Sequence, residues 1–270
     1  MNRFLTPSRL TWLHRANPSL KLAVLIILFI VTVQTRSIDF AVYQAAVYIA
    51  VLFLFSGYPA WKVSLLVLSF SLVFVSSSLT MILFGKGDHV WWQWGLFRVS
   101  EESFYRGLHL GFRAIAFAAE GLLFVMTTPS VKLFYSLMQN FRLPPKFAYS
   151  FMASIRLLSI VWEEFLIRRQ ALRIRGVRTG RGLSGLLEHV RLYAVPLLSQ
   201  SIRRAHRVAV AMEAKQFSGS GRRTYYYPSA FSRYDGLAVL MFVIALAAAY
   251  YAAAAVPWFG IEDVRYHGQG

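Results

Sequence analysis

Five stretches of the chain, residues 20–33, 40–55, 63–84, 104–126 and 236–258, are apolar nearly all round rather than along one face. A helix needs about 20 such residues to cross the hydrocarbon core of a bilayer. Each stretch is therefore predicted to span a membrane, the first only with the help of its flanks. Residues 34–39 are all that separates the first two, which are also short enough together to form a tight membrane hairpin.

Between the fourth and fifth stretches the pattern changes to stripes. Residues 130–141 are amphipathic and end at Leu143-Pro144-Pro145, where two prolines forbid helix continuation and favour an extended elbow. A long helix is predicted over residues 146–175. Phe151, Ile155, Leu158, Trp162 and Phe165 recur at steps of four and three and build one apolar stripe. Arg156, Ser159, Glu163 and Gln170 line the other side. The helix is predicted to stop at Arg175-Gly176, before a basic, glycine-rich connection over residues 177–185. A second long helix follows over residues 186–217, bent at Pro196. Leu198, Ile202, Ala205, Ala209 and Met212 form its stripe, and Ser218-Gly219-Ser220-Gly221 ends it. At roughly 30 residues each, the two helices would be about 45 Å long.

Composition agrees with a membrane protein. Of 270 residues 57% are hydrophobic and 15% charged, against about 25% charged in soluble domains. The net charge of +17 raises nucleic acid as a partner, but its distribution argues against one. Of 29 Lys and Arg, 18 fall in residues 128–235 beside five acidic residues, with apolar spans on both sides. A basic segment between spans follows the positive-inside bias and can meet anionic lipid. Arg3, Arg9, Arg15 and Lys21 put the N terminus in the cytoplasm. Residues 85–103 are then outside, the basic arm inside, and the C terminus outside. Trp91, Trp92 and Trp94 read as an interfacial belt or, more sharply, as a ligand-lining cluster. The expected division is a four-span membrane part (1–127), a cytoplasmic arm (128–235) and a final span with its tail (236–270).

The chain has no cysteine, which excludes disulfides and thiolate chemistry. No cleavable signal peptide is expected, because the first apolar run lacks a small-residue cleavage site and leads directly to another. Arg113 and Glu120 fall about two turns apart within the fourth stretch. Neither belongs against lipid, so each either lines a path or makes a polar contact with another helix. Arg175 and Lys215 close the two long helices. A cation there is favoured by the helix dipole whatever its role, yet two such tips also suit two acidic pockets on a dimeric partner.

At these residues the chain resembles the transmembrane T component of energy-coupling factor transporters, the scaffold of a class of ABC-type vitamin and metal-ion importers. His14-Arg15-Ala16-Asn17-Pro18-Ser19-Leu20-Lys21 is similar to that family's lead into its first span, and Thr127-Thr128-Pro129 to its exit before the arm. Arg173-Ile174-Arg175-Gly176 resembles the first coupling box, with Ile174 in place of the usual Ala. Ala211-Met212-Glu213-Ala214-Lys215-Gln216-Phe217 resembles the second, with Lys215 and Gln216 replacing Arg and Gly.

The resemblance implies an all-α polytopic fold with about five spans and two long cytoplasmic coupling helices. It implies ATPase docking through Arg173, Arg175, Gly176, Ala214 and Lys215 on two cytoplasmic ABC ATPase subunits, identical or different. It implies contact with a membrane-embedded, substrate-binding S component along Phe151, Ile155, Leu158, Leu198 and Ile202. Pro144, Pro145 and Pro196 are the expected hinges. No cofactor is expected on this chain, since ATP would be bound by the partners, and no Gly-x-x-x-x-Gly-Lys-Ser/Thr loop is present. The implied function is energy coupling for uptake of a vitamin, possibly a thiamine-related one, at the cell membrane. A cobalt or nickel importer is the alternative. A lipid-modifying membrane enzyme is a remoter one, because the Asp-rich box that would hold its magnesium is missing.

Overall fold

The computed structural model describes residues 7–85, 87, 89–94, 97–177, 182–217 and 224–261. Two compact units form, one from residues 1–136 with 229–270 and the other from residues 137–228. Eight helices are described: α1 (Pro18–Gln34), α2 (Ile38–Phe55), α3 (Ala60–Phe84), α4 (Glu101–Thr127), α5 (Ser130–Asn140), α6 (Pro145–Ile174), α7 (Leu183–Ala214) and α8 (Arg233–Ala255). Four of them, α2, α3, α4 and α8, are long and apolar enough to cross a membrane, and α1 is a shorter apolar helix of 17 residues. The all-α polytopic fold is as expected.

In the first unit α4 is the helix around which α1, α2 and α3 pack, and α8 lies along α2. The reason is written in its small residues. A Cβ on Gly107 would come within 2.8 Å of the Ser78 carbonyl, and one on Gly111 within 2.6 Å of the Phe74 ring. Spaced by four, these glycines let α3 approach closely, as small residues do where apolar helices meet in lipid. Only 6% of the apolar window of α3 is buried, against 44% for α2, so α3 runs along the edge of the bundle.

The charged groups of α4 turn to α1. Arg113 donates to the Val33 carbonyl at 2.6 Å, near the C-terminal end of α1, where a cation complements the helix dipole. Glu120, buried, meets the Thr32 hydroxyl, which also accepts from the Gln44 amide at 2.8 Å; that amide reaches the Tyr48 hydroxyl at 3.1 Å. Both groups thus make polar packing contacts that tie α1, α2 and α4 together. At the start of α2, the Asp39 carboxylate accepts from the backbone N–H groups of Trp258, Phe259 and Gly260 at 2.9–3.0 Å. That holds the chain leaving α8 against the start of α2.

Residues 85–103 contain something the sequence pattern did not announce. Strands β1 (Val90–Trp94) and β2 (Phe97–Ser100) pair antiparallel, and Ser100 then caps α4, which begins three residues before the apolar run. Trp91 and Trp92 are more than half exposed, and the Trp91 ring sits 5.7 Å from Phe104. The Trp94 side chain lies outside the described residues.

In the second unit α6 and α7 run antiparallel. Tyr149 near the start of α6 meets Phe217 just past the end of α7, with ring centroids 5.6 Å apart. Further along, Glu164 pairs with Arg204 at 2.5 Å and Phe165 packs on Tyr193 at 5.4 Å. The prolines stand where the sequence places them, at the break before α6 and within α7. Pro144 is the N-cap of α6 and Pro145 its first residue, a position where the missing N–H costs nothing. Arg142, at φ +54°, makes the turn just before them. Pro196 lies inside α7, which continues through it. A proline leaves the carbonyl four residues back without its helical donor. That carbonyl belongs to Leu192, and Arg168 of α6 donates to it through Nε at 2.9 Å.

Candidate functional site

The chemistry-bearing residues singled out above gather at the ends of helices rather than in a cavity. At the end of α6, Arg175 is the C-cap and Gly176 adopts φ +67°. The Gly176 N–H donates to the Arg173 carbonyl at 3.1 Å and the Val177 N–H to the Leu172 carbonyl at 3.2 Å. These are the two bonds of a Schellman closure. The end of α7 repeats them: Lys215 is the C-cap, the Gln216 N–H reaches the Glu213 carbonyl at 2.8 Å, and the Phe217 N–H reaches the Met212 carbonyl at 2.9 Å. Gln216 takes the left-handed conformation at φ +51° that Gly176 takes at the other tip. The two boxes differ in sequence and share one backbone form.

Each tip projects outward. Arg173, Ile174, Arg175 and Gly176 are exposed, as are Ala214 and Lys215. Ile174, 87% exposed between two arginines, gives the first tip an apolar point set in positive charge. Since Phe217 meets Tyr149, the second tip lies beside the start of α6. Tyr149 precedes Arg175 by roughly 26 residues, about 39 Å of helix rise. Two cationic tips therefore face opposite ends of one rod-like pair.

Along that pair Phe151, Ile155 and Leu158 of α6 and Leu198 and Ile202 of α7 stay exposed within their unit, Leu158 at 72%. Phe165, counted in the same stripe, turns to Tyr193 instead. Exposed apolar surface of this extent marks a face that meets lipid or a partner.

A second constellation lies in the first unit and involves the segment leading into α1. His14 Nδ1 is 2.8 Å from the Thr11 hydroxyl, and that hydroxyl donates to the Phe55 carbonyl at 2.9 Å. Thr11 is thus the acceptor for a His14 Nδ1–H. Burial, helped by the nearby Lys21 ammonium, pushes the His14 imidazole below its usual pKa. Lys21, itself buried, donates to the carbonyls of Leu13 and Thr127 at 3.1 and 3.0 Å, joining the lead into α1 to the end of α4.

Asn17 sits at the centre. It caps α1 ahead of Pro18, and its Oδ1 accepts from the Ser19 N–H at 3.1 Å, the Ser19 hydroxyl at 2.8 Å and the Ser136 hydroxyl at 2.5 Å. Its Nδ2 donates to the Ser229 carbonyl at 3.2 Å, and its backbone N–H to Asp235 at 2.5 Å. The other Asp235 oxygen accepts from Ser232 in the capping box of α8. Sequence reasoning identified the Asn-Pro pair only as part of a motif. The N-cap was readable from it, whereas nothing distinguished Ser136 from the other serines.

Among the described residues no three of His, Asp or Glu gather as a metal-ligand set. His189 stacks on Tyr193 at 5.9 Å with Nδ1 3.0 Å from the Gly185 carbonyl, a packing role.

A family model described as CbiQ, cobalt transport protein, matches residues 9–226. The chain is 28% identical over 171 residues to the energy-coupling factor transporter transmembrane protein EcfT of Limosilactobacillus fermentum, covering 60% of this chain and 64% of that protein. It is 25% identical over 178 residues to the EcfT of Lactobacillus helveticus, covering 62% and 64%. The chain thus spans a little under two thirds of the length of these relatives. With the EcfT of Brevibacillus brevis it shares 28% identity over 251 residues, 87% of this chain and 91% of the relative.

Proposed function

The chain belongs to the CbiQ cobalt transport protein family, and on that premise we propose that it is the energy-coupling membrane scaffold of an energy-coupling factor importer. Two cytoplasmic ATPase subunits dock on the tips at Arg175 and Lys215, and the exposed stripe of α6 and α7 bears on an S component that binds the solute. The observation that carries this reading is the identical backbone closure of the two tips, each placing one cation at a C-cap followed by a left-handed residue.

A box repeated at both ends of an antiparallel pair fits a partner with two equivalent grooves. Arg175 offers a carboxylate a rigid bidentate fork, while Lys215 offers a flexible point charge, so the first contact is the tighter. The drive is differential binding: ATP shifts the arm only if its two tips fit the two ATPase states unequally. The N terminus and the arm lie in the cytoplasm and the end of α8 faces outside, as the Lys and Arg distribution directs.

The cargo is chosen by the S component, with a vitamin of the thiamine class as the first candidate and Co²⁺ or Ni²⁺ as the second; the family description names cobalt. The test is reconstitution with two ATPases and an S component in proteoliposomes, followed by uptake of thiamine, Co²⁺ and Ni²⁺ with ATP inside or outside. Uptake that needs ATP on the arm side and all four subunits supports the reading. Uptake by the chain without ATPases, or none with any solute while ATP is hydrolysed, overturns it.

A further inference from the structure

Arg106, His109 and Arg113 step along α4 by three and four, which puts them on one face of the helix. All three are half-buried. Together with Arg36, exposed in the connection between α1 and α2, they line one cavity of about 260 Å³ in the first unit. Among the described residues no carboxylate lines it. Of the carboxylates nearest in sequence, Asp39 accepts from the backbone of residues 258–260, Glu102 accepts from the His89 N–H at 3.1 Å, and Glu120 meets Thr32. Positive charge is costly within a span, and arginines there face protein, water or a counter-charge. Arg113 meets part of that need at the Val33 carbonyl, yet a guanidinium carries five N–H donors and can serve an oxyanion as well.

An apolar groove of about 670 Å³ adjoins this cavity and shares Met81 and Leu110 with it. The groove runs along α3 from Phe84, at the end of the helix, to Leu72. That stretch rises about 18 Å, close to the roughly 15 Å that one leaflet contributes to the hydrocarbon core. We propose that the cavity and the groove together hold one anionic phospholipid, its phosphodiester among Arg36, Arg106 and Arg113 and an acyl chain along α3. Arginine suits the headgroup because its planar fork takes two phosphate oxygens at once. Side chains on a helix lean toward its N-terminal end, so His109 and Arg113 lean toward Arg106. A zwitterionic lipid offers the same phosphate but carries its own cation, which the arginines repel. The leaflet follows from the orientation proposed above, whereas the binding depends neither on that orientation nor on the coupling reading.

The full chain is purified in a neutral detergent, stripped of lipid and titrated with phosphatidylglycerol, phosphatidylcholine or glycerol phosphate. Native mass spectrometry counts the molecules retained. The expected result is one phosphatidylglycerol, held about tenfold more tightly than phosphatidylcholine. Glycerol phosphate, which has the headgroup charge and no acyl chains, does not displace it at equal concentration. Arg36→Gln weakens phosphatidylglycerol about fivefold, and Arg36→Gln with Arg106→Gln about 25-fold, the scale set by one basic residue beside anionic lipid. Arg36→Lys keeps the charge, loses the fork and falls between. Ser76→Trp, which fills the apolar groove, weakens binding severalfold with the cationic cavity intact.

Arg203→Gln with Arg207→Gln removes two exposed charges of α7 and leaves the affinity unchanged, which separates a built site from attraction to net positive charge. Equal retention of phosphatidylglycerol and phosphatidylcholine overturns the proposal, as does an equal loss in the Arg203 and Arg207 pair. Displacement by glycerol phosphate at equal concentration makes the cavity a site for a free phosphate and overturns the lipid. Thermal melting in the same detergent gives an independent reading: phosphatidylglycerol raises the wild-type midpoint and not that of the Arg36 and Arg106 double variant. A wild-type midpoint that ignores the lipid contradicts the proposal. If Arg106→Gln does not fold, Arg36→Gln and Arg36→Lys decide alone.

Discussion

Exchanging the left-handed residues of the two tips gives opposite effects. Gly176 and Gln216 occupy the same conformation, φ +67° and +51°, in the same pair of closing bonds. A side chain in this region costs about 1–2 kcal/mol relative to the right-handed form, a cost that glycine does not carry. Nothing lies within 4 Å of a Cβ added at Gly176, so Gly176→Ala isolates the backbone cost with no clash. It is expected to loosen the closure by about 1 kcal/mol, close to a fivefold rise in the open population. Gln216→Gly removes the strain, but glycine brings back about 0.5–1 kcal/mol of chain freedom, leaving a net gain between about 0 and 1.5 kcal/mol. Amide hydrogen exchange at residues 176–177 and 216–217 reads both directly. Gly176→Ala should speed exchange at its own tip about fivefold, and Gln216→Gly should leave or slow exchange at the other. Unchanged or slower exchange in Gly176→Ala refutes the reasoning, because the closure would then not depend on the left-handed residue.

Three further outcomes follow from the same structure. Arg168→Leu should destabilise the pairing of α6 and α7 by about 1 kcal/mol, and by much less in a Pro196→Ala background, where the helix supplies the Leu192 carbonyl with its own donor. A double-mutant cycle by denaturant unfolding reads the coupling, and additivity would refute it. Asp39→Ala should free the backbone of residues 258–260, seen as a severalfold rise in protease cleavage after Ala255, while Asp39→Asn should fall between. For His14 the folded pKa is depressed by burial, so its contribution to stability is complete above the unfolded value of about 6.5. It is lost as pH falls through the lower folded value. Thermal melting should thus drop on acidification below that point, and His14→Gln should flatten the drop; an identical pH profile in the variant contradicts the assignment.

The fold was legible where the physics is local. Apolar runs of the right length marked the spans, the three-and-four stripes marked α6 and α7, and Arg175-Gly176 marked a helix stop within one residue. What sequence could not show was pairing at a distance. Trp91 and Trp92 read as an aromatic belt; that they would also lie on a strand paired with β2 was not legible, because these strands carry no clean alternation. Pro144-Pro145 reads as an elbow before a helix, and the extended Pro144 does separate α5 from α6, with Pro145 at the first helical position. Pro196 reads only as a bend; that Arg168 of α6 would donate to the Leu192 carbonyl depended on the register of the two helices. Gln216 gave no sign of a left-handed residue, because the backbone form is set by the closing bonds of the tip. The hub at Asn17 likewise required Ser136 and Ser229 to be brought together from 93 residues apart.

Docking of two ATPase subunits on the two tips is tested by native mass spectrometry of the chain co-purified in detergent with candidate ATPase subunits. Wild type, Arg175→Ala, Lys215→Ala and the double variant are compared. One chain with two ATPases in the wild type, a larger loss for Arg175→Ala than for Lys215→Ala, and no complex in the double variant is the predicted result. A double variant that holds two ATPases as well as the wild type contradicts the account.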